Sequence, residues 1–131
     1  MSNCRAADRA FLENWRQELL ARAWKALAQV QQESGQPYYD VLRLRVEAPD
    51  LPSAEMAARL SARLGRPLTA AGVRQTLHRA RERFADLLLD ETRQSLGASD
   101  REHLEEELAD LNFLKYCRSS LQRRASPGGS R

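Results

Sequence analysis

Five arginines crowd one stretch of this chain: Arg66, Arg74, Arg79, Arg81 and Arg83, opposed there only by Glu82. A guanidinium is a permanent cation whose fork of N–H donors fits phosphate oxygens and the O6/N7 edge of guanine. Gln75 and His78 are interleaved with these arginines. A glutamine amide matches the N6/N7 edge of adenine. Such residues suit a polyanion that has both a phosphate backbone and readable edges. Charge of the other sign follows: between Ser99 and Leu111, Asp100, Glu102, Glu105, Glu106, Glu107 and Asp110 meet only Arg101. The net charge of +3 over 131 residues averages this asymmetry away. A basic element beside an acidic one suggests one face for a polyanion and another for something else.

The basic residues need a helix to act together. Val73, Leu77, Ala80, Phe84, Leu87 and Leu88 recur at helical spacing and predict one apolar stripe, with Thr69 as the cap and an end near Thr92. Opposite Val73 and Leu77 lie Ala71, Arg74, Gln75 and His78, the candidates for base edges. Arg79 and Arg81 flank that face and Arg66 sits in the preceding turn, all three better suited to phosphates. The first turn, Thr69-Ala70-Ala71-Gly72, is small enough to enter a major groove about 12 Å wide. A purely solvated face is the competing account, since arginine is a strong helix former.

The elements around it follow from caps and breakers. Ser53 is the expected N-cap of the preceding helix, whose inner face is Met56, Ala57, Leu60 and Leu64. Gly65-Arg66-Pro67-Leu68 forms the turn, so residues 53–91 read as a helix-turn-helix. Upstream, Asp8 caps a long helix from Arg9 to Glu33 that buries Leu12, Trp15, Leu19, Ala23, Ala26, Leu27 and Val30, with Trp24 off that stripe. Gly35 and Pro37 stop it. A second helix covers Tyr38 to Glu47, with apolar residues on several faces. Ser99-Asp100-Arg101-Glu102 reads as a capping box opening an acidic helix with Leu104, Leu108, Leu111 and Leu114 on one side. The expected architecture is all-α, with about five helices and no strand. Residues 9–117 are expected to form a single domain, flanked by a disordered leader (1–8) and a disordered tail (118–131).

Several classes are excluded by what is present. No apolar run is long enough for a membrane span, and Met1 to Arg9 carries no apolar signal core, so a cytoplasmic location is expected. Cys4 and Cys117 are the only cysteines and His78 and His103 the only histidines. Neither a disulfide framework nor zinc-ligand spacing arises from them, and no metal or cofactor is expected. The carboxylates cluster without a companion nucleophile or phosphate loop, so an enzyme is not expected. Arg123-Arg124-Ala125-Ser126 resembles a basophilic kinase site, a match that arises often by chance.

Ala54-Glu55-Met56-Ala57, then Leu64-Gly65, then Thr69 to Val73, then Leu77-His78-Arg79-Ala80-Arg81-Glu82-Arg83 resembles region 4 of bacterial RNA polymerase sigma factors of the extracytoplasmic-function class. Tyr39-Asp40-Val41-Leu42-Arg43-Leu44-Arg45 is similar to the helix that precedes this motif, so the resemblance spans Tyr38 to Asp90. It implies recognition of the −35 promoter element in double-stranded DNA and docking on the β flap of the RNA polymerase core. In this chain Ser61-Ala62-Arg63-Leu64 add about one turn to the first motif helix, which preserves its apolar phase. The segment from Leu64 to Val73 is also longer than the family pattern. Region 2, which melts promoters in that family, has no counterpart, so promoter melting is not expected.

Two other functions compete. One is an ordinary helix-turn-helix regulator, dimeric and reading palindromic half-sites; a region 4-like domain is instead expected to be a monomer alone. The other is a protein-interaction module that meets a regulatory protein through Trp24 and the acidic Glu105-Glu106-Glu107 face.

Overall fold

A computed structural model describes residues 2–96, 101–111 and 113–125. Six helices follow in order: α1 (Ser2–Ser34), α2 (Tyr38–Glu47), α3 (Ser53–Leu64), α4 (Ala70–Leu96), α5 (Arg101–Asp110) and α6 (Leu114–Ala125). No strand occurs among the described residues, so the all-α class holds. The chain packs as two compact units, Lys25–Phe84 and Met1–Trp24 with Ala85–Arg131. Helix length explains this. The 33 residues of α1 and 27 of α4 span about 50 and 40 Å at 1.5 Å per residue, more than one small core can cover.

In the unit Lys25–Phe84, the buried apolar side chains include Leu27, Val41, Leu42, Leu44, Met56, Ala57, Leu60, Val73, Leu77 and Ala80. α2 packs on α3. Burying a leucine or methionine fully is worth about 1.5–3 kcal/mol, so this set is the main source of cohesion. α1 ends as expected at Gly35, whose φ of 77° is the left-handed cap conformation and whose N–H donates to the Gln31 carbonyl at 2.9 Å. Pro37 starts α2 without a side-chain cap. Gln31 supplies the missing acceptor: its Oε1 accepts from the Asp40 N–H at 3.0 Å while its Nε2 donates to the Asp40 carboxylate at 2.9 Å. Arg45 donates to the Pro49 carbonyl at 2.7 Å and also to the Met56 sulfur, tying the 48–52 connector to both helices it joins.

The second unit buries Leu19, Ala23, Ala85, Leu88, Leu89, Leu108, Leu111, Phe113, Cys117 and Leu121. α5 packs on α6. Its buried polar groups are satisfied: the Thr92 hydroxyl donates to the Leu88 carbonyl at 2.8 Å, and the Cys117 thiol reaches the Ala85 carbonyl at 3.7 Å. Arg16 lies 5.5 Å over the Phe113 ring, a cation–π contact. The Trp15 indole N–H donates to Ser95 Oγ at 2.9 Å.

Several boundaries differ from the sequence expectation. α1 starts at Ser2, so Arg5-Ala6-Ala7 are helical and Asp8 is not a cap; alanine and arginine favour helix. α3 is entered through Pro52, whose ψ of 150° is extended and whose carbonyl accepts from the Met56 N–H, leaving Ser53 as the first helical residue. α4 runs four residues past Thr92, to Leu96. Its single expected stripe splits: Val73, Leu77 and Ala80 are buried in one unit, but Ala85, Leu88, Leu89 and Thr92 in the other, with Phe84 and Leu87 only half-buried. The acidic helix stops at Asp110, because the Phe113 N–H reaches back to the Leu108 carbonyl at 2.8 Å and closes the helix end. α6 then occupies part of the expected tail, held by buried Cys117, Ser120 and Leu121 at helical spacing. Ser99, Asp100 and residues 126–131 lie outside the described residues.

α3 ends at Gly65, whose φ is 71°, with open space where a Cβ would sit. Gly65→Ala is therefore expected to cost about 1–2 kcal/mol through backbone strain alone. Gly65→Asn should cost less, because asparagine tolerates this conformation. Urea denaturation of the three proteins checks the order.

Candidate nucleic-acid interface

The turn before α4 is held by side chains on both sides. The Gly65 N–H donates to the Ser61 carbonyl at 2.9 Å, and Ser61 Oγ accepts from the Leu68 N–H at 2.9 Å. Thr69 then caps α4 as its position in the sequence requires: Oγ1 accepts from the Gly72 N–H at 2.9 Å. A Cβ on residue 72 would come within 3.0 Å of that hydroxyl, so glycine there leaves the cap its room. Arg66 is exposed, with Nη2 donating to the Gly35 carbonyl at 3.2 Å. That bond engages one of its five donors and ties the turn to the end of α1.

Beyond the cap, burial fixes which way each side chain points. Val73, Leu77 and Ala80 are buried; Ala71, Arg74, Gln75, His78, Arg79, Arg81, Glu82 and Arg83 are exposed. At about 100° per residue, Ala71, Gln75 and Glu82 lie closest to the outward direction, with His78 and Arg79 within roughly 50° of it. Arg74 and Arg81 stand about 90–110° away on one flank, and Arg83 a similar angle away on the other. The sequence pairs Arg74 with the outward residues and sets Arg79 aside; the burial pattern exchanges them. All eight residues singled out from the sequence (Arg66, Thr69, Ala71, Arg74, Gln75, His78, Arg79, Arg81) lie at the solvent surface.

Glu82 is an addition to that set. Its carboxylate lies 3.6 Å from His78 Nε2, one turn away on the same face. The signal was its spacing, seven residues after Gln75 and four after His78. Arg74, Arg79, Arg81 and Arg83 form no ion pair among the described residues. Their guanidinium groups are exposed, and salt screens such charges over about 8–10 Å.

No family model, curated protein or solved structure matches this chain.

Other surfaces named from the sequence fare differently. Trp24 is half-buried and engaged with a partner, and Glu105 likewise; Glu106 is exposed, and the Glu107 side chain lies outside the described residues. The exposed aromatic is Phe11, 66% accessible and stacked on Trp15 with ring centroids 6.4 Å apart. Among the described residues, no group of three or more His, Cys, Asp or Glu is placed to hold a metal ion. No described helix is long and apolar enough to cross a membrane. Cys117 is buried and forms no disulfide among the described residues.

Thr69→Ala removes the acceptor for the Gly72 N–H and is expected to cost about 1 kcal/mol. Thr69→Ser keeps that acceptor and should restore most of the loss. Thermal denaturation followed by circular dichroism checks the pair.

Proposed function

We propose that this chain binds duplex DNA sequence-specifically as a sigma-factor region 4-like domain, reading the −35 promoter element and docking on the β flap of the RNA polymerase core. α3, the connection 65–69 and the first half of α4 serve as a helix-turn-helix, with α4 as the recognition helix. The observation that carries this reading is the exposed face of α4: Ala71, Gln75, His78 and Arg79 outward, with Arg74 and Arg81 on one flank and Arg83 on the other.

That order of side chains suits a groove. A helix with its side chains is about 10–12 Å across and B-DNA's major groove about 12 Å wide. Side chains on the outward line meet base edges, while cations on the flanks meet the phosphates along the groove walls. Gln75 can bond adenine in bidentate fashion and Arg79 guanine. Recognition helices read bases mainly through their N-terminal part. Here that part opens with the small Ala70-Ala71-Gly72 behind the Thr69 cap.

The solvated-face alternative accounts for arginine as a helix former. On that account the four arginines of this stretch, without an ion pair among the described residues, would meet only water, and the binding test below separates the two. Elsewhere exposed arginines do find carboxylates: Arg22 pairs with Glu18 and Arg43 with Glu47.

Fluorescence anisotropy with duplexes selected from a random pool tests the proposal. Arg74→Ala/Arg79→Ala is expected to lower affinity at least tenfold at moderate salt; unchanged binding removes the reading. Gln75→Ala should relax preference at one base pair at a cost of about 1–3 kcal/mol. Light scattering is expected to show a monomer, whereas a tight dimer would favour the palindrome-reading regulator.

A further inference from the structure

We infer that a second arginine row, Arg59 and Arg63 on α3 continued by Arg66 in the turn, grips the phosphate backbone of the duplex outside the groove entered by α4. The inference rests on the duplex-binding reading above and adds a separate set of contacts to it.

α3 buries Met56, Ala57 and Leu60, which leaves Glu55, Ala58, Arg59, Ala62 and Arg63 exposed. Arg59 and Arg63 are one turn apart and so project side by side. Arg66 follows just past the left-handed Gly65. Like charges at this spacing weaken an isolated helix. Glu55, one turn before Arg59, would offset that cost by pairing with it, yet neither Arg59 nor Arg63 forms an ion pair among the described residues. Arg59 and Arg63 therefore keep an uncompensated repulsion, which a polyanion would relieve. Exposed Ala58 and Ala62 lie beside it, with no long side chains to hold a nucleic-acid strand away.

The place in the fold also fits a backbone and not a base. In a helix-turn-helix the first helix crosses the phosphate backbone while the second enters the groove. Arg63 stands on the turn Ser61-Ala62-Arg63-Leu64 that lengthens α3 beyond the sigma-factor pattern. The added turn carries this contact further along the helix than that pattern would, so the grip belongs to this chain's own length of α3. Phosphate oxygens accept from a guanidinium regardless of sequence, so the row adds affinity without adding preference.

The test compares the full chain with Arg59→Ala/Arg63→Ala on a long selected duplex, a scrambled duplex and a version of the selected duplex trimmed at both ends. Each lost phosphate contact lowers the slope of log affinity against log salt by about 0.9, so the double variant should lose about 1.8. Affinity should fall by the same factor on selected and scrambled duplexes, with base preference kept. Trimming should weaken the unaltered protein and leave the variant unaffected. Circular dichroism should show helix content preserved, since alanine favours helix. An unchanged slope on the long duplex overturns the inference, as does a loss confined to RNA polymerase binding. If Arg74→Ala/Arg79→Ala abolishes binding while Arg59→Ala/Arg63→Ala changes nothing, only the second row falls. If the unaltered chain binds no duplex, the parent reading falls and takes the row with it.

Discussion

The direction in which α4 points each side chain depends on the burial of one face, Val73, Leu77 and Ala80. Turning the helix about its axis by one residue step, about 100°, would displace that whole face. Val73 would then swing out of the core and an arginine would swing in, and a buried unpaired guanidinium is too costly to persist. That burial fixes the direction in which Gln75, His78 and Arg79 point, and the hydrogen bond from the Gly72 N–H to Thr69 Oγ1 starts the helix in keeping with it. Gly65 works at the other end of the same connection. Its left-handed backbone ends α3, and the Ser61 hydroxyl holds Leu68 so that the chain meets Thr69 in register.

Around this connection, the unit Lys25–Phe84 combines an apolar core with polar clips at helix ends. Gln31 on α1 caps α2 from a distance, because Pro37 cannot do so with its own side chain. Arg66 ties the turn to Gly35. Each such bond is worth only about 1 kcal/mol net, but it fixes geometry that apolar contacts leave free. Arg66 also keeps donors beyond the one given to Gly35, so a structural tie and a phosphate contact are compatible on one guanidinium.

The two long helices serve two cores. α4 changes its buried positions between Ala80 and Ala85, where one unit gives way to the other. Its arginines all precede that change, except Arg93. In the proposed reading, DNA contact is thus confined to the part of α4 in the unit Lys25–Phe84. The acidic α5 and the exposed Phe11 belong to the other unit.

The existence of α1 to α5, the Thr69 cap, the Gly35 stop and the extent of α2 were legible in the sequence, because each depends on local backbone chemistry within a few residues; α6, in the expected disordered tail, was not. The all-α class followed from the same periodicity. The exposed position of all eight candidate residues was legible too, since a stripe of apolar residues implies its opposite. What the sequence alone could not determine was where one core ends and another begins. Phe84 and Leu87 continue the spacing of Val73, Leu77 and Ala80, yet they are only half-buried, because burial depends on the partner surface and not on spacing. The sequence reading also placed Arg74 outward and Arg79 on the flank, but at 100° per residue the line of Val73, Leu77 and Ala80 gives the reverse order. Dependence on the partner surface also hid the break at Leu111 to Phe113, where a buried aromatic and a back-reaching N–H outweigh an unbroken run of leucines. Local chemistry chose the helices; long-range packing decided which faces they bury and hence which arginines remain for a partner.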